Sequence, residues 1–228
     1  MKKSFKLSVL MPVFNEVKTI DTIVKRVLKR PEVYELIIVD DGSTDGTTRK
    51  LTMKDKRVKI IFKRRNEGKG AAIITALERA TGTHVIIQDA DLEYDPDDYQ
   101  QMVKPILNGN AEVVYGSRFI GPHRDMLFWH KVGNDLINFS IDILFDSIIS
   151  DCETGYKLIP VTLLKSLKLE AKRFDFEIET TCKILKRGIR IYEVPISYTG
   201  REYKDGKKIG FKDGIIALLR VWQYRLFV

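Results

Sequence analysis

Apolar residues in the first half of the chain fall alternately into short continuous runs and into stretches with helical spacing. The runs at 7–11, 36–39, 58–62 and 85–88 have strand length and no polar alternation, the pattern of strands covered on both faces. Between them Ile20, Ile23, Val24, Val27 and Leu28 recur at helical spacing within 19–28, and 45–53 and the alanine-rich 70–80 read as further helices. Strands alternating with helices predict an α/β fold, a mainly parallel sheet with helices on both faces. Ligands of such sheets bind beyond the carboxyl ends of the strands. The polar clusters fall there: Asn15 and Glu16 after the first strand, Asp40 to Ser43 after the second, Arg64 to Asn66 after the third, Asp89 and Asp91 after the fourth.

The pattern is less regular further on. Residues 111–115 and 189–195 read as strands, 174–187 as a helix, and 215–227 as an apolar helix carrying Trp222 and Tyr224. Between 126 and 149 the apolar positions are interrupted by Lys131, Asn134, Asp135, Asn138 and Asp142, which suits one or two amphipathic helices. Two roles stay open for them. They could cover the core, or they could lie in a membrane interface, with Phe128 and Trp129 at the boundary. No run of about 18 apolar residues exists, so the sequence predicts no spanning helix, and any membrane attachment is expected to be peripheral.

A chain of 228 residues with 44% hydrophobic and 31% charged residues suits one domain over 1–228. Its net charge of +8 points to an anionic partner: a nucleotide, a phosphorylated lipid, an acidic membrane surface or nucleic acid. Nucleic acid is the weakest of these, because the lysines are scattered and no recognition motif is present. Cys152 and Cys182 lack both the spacing of a zinc site and the number of a disulfide framework, which fits a reducing cytosol. The basic N-terminus runs directly into a strand and does not read as a signal peptide. A cytoplasmic location, at the cytoplasmic face of a membrane, is the expectation. Oligomeric state is not encoded legibly.

The chemistry concentrates at Asp89, Asp91 and Glu93. In an extended segment these three would share one face, while Ala90 turns away and leaves the backbone open to a ligand. Oxygen ligands of this kind suit Mg²⁺ or Mn²⁺, held by one or two carboxylates with substrate phosphates completing the shell. The acids at 95–98, around Pro96, read as a helix cap instead. An EF-hand is excluded, since Tyr94 and Gln100 stand where glycine and glutamate are required. Asp40 and Asp41 supply more carboxylate than a cap needs, and one could accept a base N–H and ribose hydroxyls. The Asn66-to-Gly70 stretch lacks the full phosphate-loop pattern, leaving Lys69 as a candidate for a diphosphate. Glu177 either faces the site or caps the helix that starts near 174.

Taken in order, Pro12-Val-Phe-Asn-Glu16, Val39-Asp-Asp-Gly-Ser-Thr-Asp45, Asn66-Glu-Gly-Lys-Gly70 and Asp89-Ala-Asp91 resemble the nucleotide-sugar half of family-2 glycosyltransferases. The resemblance implies a GT-A fold with a mixed, mainly parallel sheet, its 1–116 half binding the nucleotide-sugar and its 117–228 half the acceptor. It also implies that Pro12, Phe14, Glu16 and Asp41 line the base and ribose pocket, and that Lys69, Asp89, Ala90, Asp91 and Glu93 contact the sugar diphosphate and metal. Gly116-Ser-Arg118-Phe119 is similar to the acceptor loop of polyprenyl- and dolichyl-phosphate sugar transferases, the dolichol-phosphate mannosyltransferase branch. There an arginine grips the lipid phosphate, which makes Arg118, with Arg124 beside it, the acceptor-phosphate candidates. Asp151, in Asp151-Cys-Glu-Thr-Gly-Tyr-Lys157, stands where hydroxyl-specific relatives keep a catalytic carboxylate, and could act as base or as orienter. The basic stretch 198–212 resembles the family's flap, with Arg201 and Lys207 or Lys208 closing on the diphosphate. The implied reaction is metal-dependent and inverting. A hexose moves from GDP-mannose or a UDP-sugar to a polyprenyl or dolichyl phosphate. The alternatives are transfer to a glycan hydroxyl with Asp151 as base, or a catalytically silent nucleotide-sugar-binding module.

Overall fold

A computed structural model describes residues 5–121, 123, 128–200 and 211–227, the side chains of 130, 211–213 and 215 excepted. Strand β1 (Leu7–Val13) is buried along its whole length and lies inside the sheet. Its pleat sends Leu7, Val9, Met11 and Val13 into one core and Leu10 into another. Strands β2 (Val33–Asp40) and β4 (His84–Ile87) pair with it in parallel, and β3 (Val58–Phe62) adds outside β2. Beyond β4 lie β5 (Val113–Ser117), β6 (Lys157–Pro160) and β7 (Ile191–Pro195), giving the order β3-β2-β1-β4-β6-β5-β7. Strand β6 runs antiparallel to both β4 and β5, whereas β5 and β7 are parallel. The sheet is therefore mixed and mainly parallel, as expected.

Helices cover both faces. Helix α1 (Ile20–Leu28) packs Ile20, Ile23, Val24 and Val27 on the core that also takes Tyr99 and Met102. Next comes α2 (Thr47–Lys50), much shorter than the helix expected over 45–53. Gly46 is left-handed (φ 98°), the hydroxyls of Thr47 and Thr48 are taken by Asp45 (2.5 Å) and Asp40 (2.6 Å), and Leu51 leaves helical geometry to enter the core. Side-chain bonds of this kind compete with helix propagation. Helix α3 (Lys69–Arg79) lays Ala72, Ile73 and Ala76 on the opposite face. Helix α4 (Tyr99–Leu107) follows a 3₁₀ turn at Pro96–Asp98, where Asp95 accepts from Asp97 N–H at 2.9 Å, the cap read from the sequence.

The 126–149 segment contributes one helix, α5 (Phe128–Phe145). After it come α6 (Val161–Ser166), α7 (Phe176–Lys186) and α8 (Phe211–Leu226). Helices α5, α7 and α8 enclose a third core of Ile137, Ile141, Ile178, Cys182, Val221 and Tyr224. Their outer faces leave Phe128, Trp129, Phe139, Ile143, Leu219 and Trp222 exposed. Among the described residues no helix is long and apolar enough to cross a membrane.

One buried acid ties the lower end of the sheet. Glu35 on β2 accepts from Ser8 Oγ (2.7 Å), Thr81 N–H (2.7 Å) and Lys59 Nζ (2.7 Å). Burial by itself would raise its pKa, but the bonds from Lys59, Ser8 and Thr81 outweigh that and hold it below the ordinary glutamate value.

Candidate active site

The carboxyl ends of β1, β2 and β4 open at one edge of the sheet. After β1 the chain turns at Asn15, whose left-handed backbone (φ 57°) is held by Thr44 N–H donating to its Oδ1 (2.8 Å) and by its own N–H donating to Ser43 Oγ (3.0 Å). Glu16 N–H donates to Thr47 Oγ1 (2.9 Å), and its carboxylate accepts from Thr19 Oγ1 (2.9 Å). Pro12 is buried in β1 opposite Val39, while Phe14 and Glu16 are half-buried at the rim. The two acids after β2 have different duties. Asp40 caps its own loop through Ser43 N–H (2.9 Å) and Thr48 Oγ1 (2.6 Å). Asp41, equally buried, accepts from Glu67 N–H (3.0 Å) and Gly68 N–H (2.7 Å) and pairs with Lys63 Nζ (3.0 Å). Asp41 thus anchors the glycine-rich loop at the rim of the base pocket expected of it.

The glycines of that loop answer to packing as well. A Cβ on Gly68 (φ 107°) would stand 2.2 Å from Lys172 O, and one on Gly70 2.2 Å from Ala171 O. Only glycine lets the 171–172 backbone cross so closely and so bring α3 beside α7. Lys69 between them points into the site. Its Nζ lies 2.9 Å from both Asp89 oxygens and 3.1 Å from Glu177 Oε1. Burial would lower its pKa, yet the charges of Asp89 and Glu177 prevail and keep it firmly protonated.

Glu177 is shared. Its second oxygen lies 3.4 Å from Lys157 Nζ, which is fully buried and donates to the carbonyls of Cys152 (2.8 Å) and Thr154. Burial draws the Lys157 pKa below the usual lysine value in spite of Glu177.

The three carboxylates expected to share one face do not do so. Strand β4 ends at Ile87, and Leu92 takes a left-handed conformation (φ 67°), so the extended alternation assumed for 89–93 is broken. Asp91 Oδ1 accepts from Glu93 N–H (3.1 Å), while Glu93 Oε2 accepts from Tyr198 OH (2.8 Å). Among the described residues no three acidic, histidine or cysteine side chains form a ready-made cation cage. Asp89 and Asp91 still fit a Mg²⁺ or Mn²⁺ site, which needs one or two carboxylates when phosphates supply the rest. Ala90 is buried between them.

At the end of β5 stands Arg118. Its Nε and Nη2 donate to the two oxygens of Asp151 (2.7 Å each), and its backbone N–H donates to the same carboxylate (3.0 Å). Asp151 is fully buried and Arg118 half-buried. The carboxylate overcomes the cost of burial and pushes the arginine pKa further up. Glu193 on β7 braces the segment by accepting from Ser150 N–H (3.0 Å) and Asp151 N–H (3.2 Å). Tyr94 OH accepts from Gly155 N–H (2.9 Å), and the Tyr94 ring stacks on Tyr156 at 4.7 Å. The guanidinium of Arg118 lies 5.4 Å from the centre of the Tyr198 ring.

Arg124, Arg201, Lys207 and Lys208 lie outside the described residues. Three residues bonded to the site's charged groups or to their segment were not singled out in the sequence: Lys157, Glu193 and Tyr198. A lysine in Thr154-Gly-Tyr-Lys157 carries no local mark that it is buried. Burial there is decided by β6 lying between β4 and β5.

Acids and a lysine at the ends of parallel strands, facing an arginine held by a buried aspartate, on this mixed sheet, define a GT-A glycosyltransferase. The chain matches the family model "Glycosyl transferase family 2" over residues 8–168 and belongs to that family. It is 32% identical to the UDP-N-acetylglucosamine–dolichyl-phosphate N-acetylglucosaminyltransferase of Methanococcus voltae, over 89% of this chain and 91% of that protein. It is 28% identical to the dodecaprenyl-phosphate galacturonate synthase of Rhizobium johnstonii, over 88% of this chain and 61% of that protein. In fold it is similar to glucosyl-3-phosphoglycerate synthase of Mycobacterium tuberculosis, crystallised with Mn²⁺, UDP and glucosyl-3-phosphoglycerate. The TM-score is 0.76 at 21% identity, over 97% of this chain and 80% of the other. The same enzyme has also been crystallised with Mg²⁺ and UDP.

Proposed function

We propose that this glycosyltransferase moves a hexose from a nucleotide-diphospho-sugar, a UDP-sugar or GDP-mannose, to a polyprenyl or dolichyl phosphate. The observation that carries the reading is the state of Asp151. Both of its oxygens are committed to Arg118 and it is shut off from solvent, which suits an orienter and not a base. A hydroxyl acceptor must lose a proton as it attacks. A phosphate monoester, with a second pKa near 6, is already ionised at neutral pH and needs no base. Asp151 fixes the plane of the guanidinium through Nε and Nη2, leaving Nη1 outside that pair to meet an acceptor oxygen. The dolichyl-phosphate and dodecaprenyl-phosphate activities for which the Methanococcus voltae and Rhizobium johnstonii relatives are named support the same acceptor class.

On the donor side, Pro12, Phe14, Glu16 and Asp41 border the base and ribose, and Asp89 and Asp91 hold Mg²⁺ or Mn²⁺. When bound, that cation offsets the charge growing on the departing nucleoside diphosphate. Lys69 adds positive charge beside Asp89, and Arg201 and Lys207 add more from the basic flap. The exposed apolar faces of α5 and α8, with the net charge of +8, favour peripheral docking on an acidic, cytoplasmic membrane surface.

The test offers radiolabelled UDP-sugars and GDP-mannose, with Mn²⁺, to a polyprenyl phosphate and to a free glycan. Label is expected in the lipid fraction, and Asp89→Ala is expected to abolish it. Transfer to the glycan alone, or undiminished transfer by Asp89→Ala, refutes the reading.

A further inference from the structure

The cluster behind Asp89 contains more charge than holding a metal would require. Lys69 already sits on both oxygens of Asp89 at 2.9 Å, as a monovalent ion would. A divalent cation docking on that carboxylate meets an ammonium at contact distance, and in this half-buried site the two are screened less than in bulk water. The ammonium has somewhere to go. Glu177 Oε1 is 3.1 Å away, on the first turn of α7, and it is buried with its other oxygen steadied by Lys157. A small rotation of the Lys69 side chain exchanges one carboxylate for the other without releasing the charge to solvent.

Resting on the reading of Asp89 as a metal ligand, we infer that Lys69 is the resident counter-ion of Asp89, and that Glu177 is the positioning residue that takes it over when the divalent cation docks. The exchange keeps Asp89 neutralised before the donor arrives. It then keeps the ammonium beside the site, where it faces the diphosphate instead of opposing the metal. Lys157 extends the link, because its ammonium is bound to the carbonyls of Cys152 and Thr154 in the segment that begins with Asp151. The donor cation site and the acceptor segment thus lean on one glutamate.

Titration with Mn²⁺ alone, read by the loss of its free EPR signal, tests this without any turnover. Lys69→Met removes the competitor and should bind Mn²⁺ about tenfold more tightly than the parent enzyme. Glu177→Gln leaves Lys69 with Asp89 as its anionic partner and should bind about tenfold more weakly, with Glu177→Asp restoring the parent value. A purely structural role for these residues would move both affinities downward or neither. The inference is overturned if Lys69→Met binds no more tightly than the parent, including the case in which neither binds. It is equally overturned if a folded Glu177→Gln binds like the parent. Should Glu177→Gln fail to fold by circular dichroism, Lys69→Met decides alone. Asp89→Asn separates the two levels of the argument. Parent-like Mn²⁺ binding by that variant refutes the metal assignment, whereas its loss without tightening in Lys69→Met refutes only the exchange.

Discussion

Replacing Asp151 by asparagine tests whether this carboxylate orients or deprotonates. The substitution preserves shape and one oxygen acceptor, but it removes the charge and turns an NH₂ group toward a guanidinium that can only donate. Two charge-assisted bonds of 2.7 Å are affected, between a fully buried carboxylate and an arginine with 17% side-chain exposure. Leaving a buried charge without its partner costs about 3–5 kcal/mol. At about 2–4 °C per kcal/mol for a chain of this size, the melting temperature should fall by roughly 6–20 °C. Thermal unfolding followed by circular dichroism measures that loss. Initial rates on polyprenyl phosphate between pH 5 and 8, corrected for folded fraction, measure the chemistry. In the parent the rate should rise with pH as the acceptor phosphate loses its second proton near pH 6, and the variant should keep that rise. Removing a general base typically costs 10²- to 10⁴-fold. A variant with parental stability, a loss of that size and no rising limb would refute the reasoning.

Gly68→Ala places a Cβ against Lys172 O in a backbone region that only glycine occupies readily, and should cost about 2 kcal/mol or more. Gly109→Ala, also at positive φ but with nothing within 4 Å, should cost about 1 kcal/mol; equal melting temperatures would contradict the packing argument. Glu35 has a depressed pKa in the folded state, so its contribution is complete above 4.5, the ordinary glutamate value, and fades as pH falls through the lower folded one. Urea unfolding should therefore show Glu35→Gln much less stable than the parent at pH 7, with the gap closing in acid; a gap that widens in acid would reverse the sign. Replacing exposed Phe128 and Trp129 by serine should change stability by less than about 0.5 kcal/mol. The same double variant should weaken sedimentation with phosphatidylserine vesicles about tenfold or more, and unchanged sedimentation would argue against α5 as a docking face.

The periodicity of apolar residues was enough to place β1 to β4, α1 and α3, because strands buried on both faces and amphipathic helices leave local marks. It was also enough to put Asn15, Asp41 and Asp89 at strand ends, since turn chemistry and carboxylate pairs are local as well. Strand β6 left no such mark. It is four residues long, starts with a lysine and ends with a proline, and becomes a strand only because β4 and β5 flank it. The same insertion buries Lys157 and sets Asp151 against Arg118, across 33 residues of chain. Local pattern likewise suggested that Glu93 would join Asp89 and Asp91. The left-handed turn at Leu92 and the reach of Tyr198 decided otherwise. Side-chain identity determined which chemistry was available to this chain, and the tertiary structure decided which charges meet. Pairing energies depend on distance and burial, which sequence neighbours do not share.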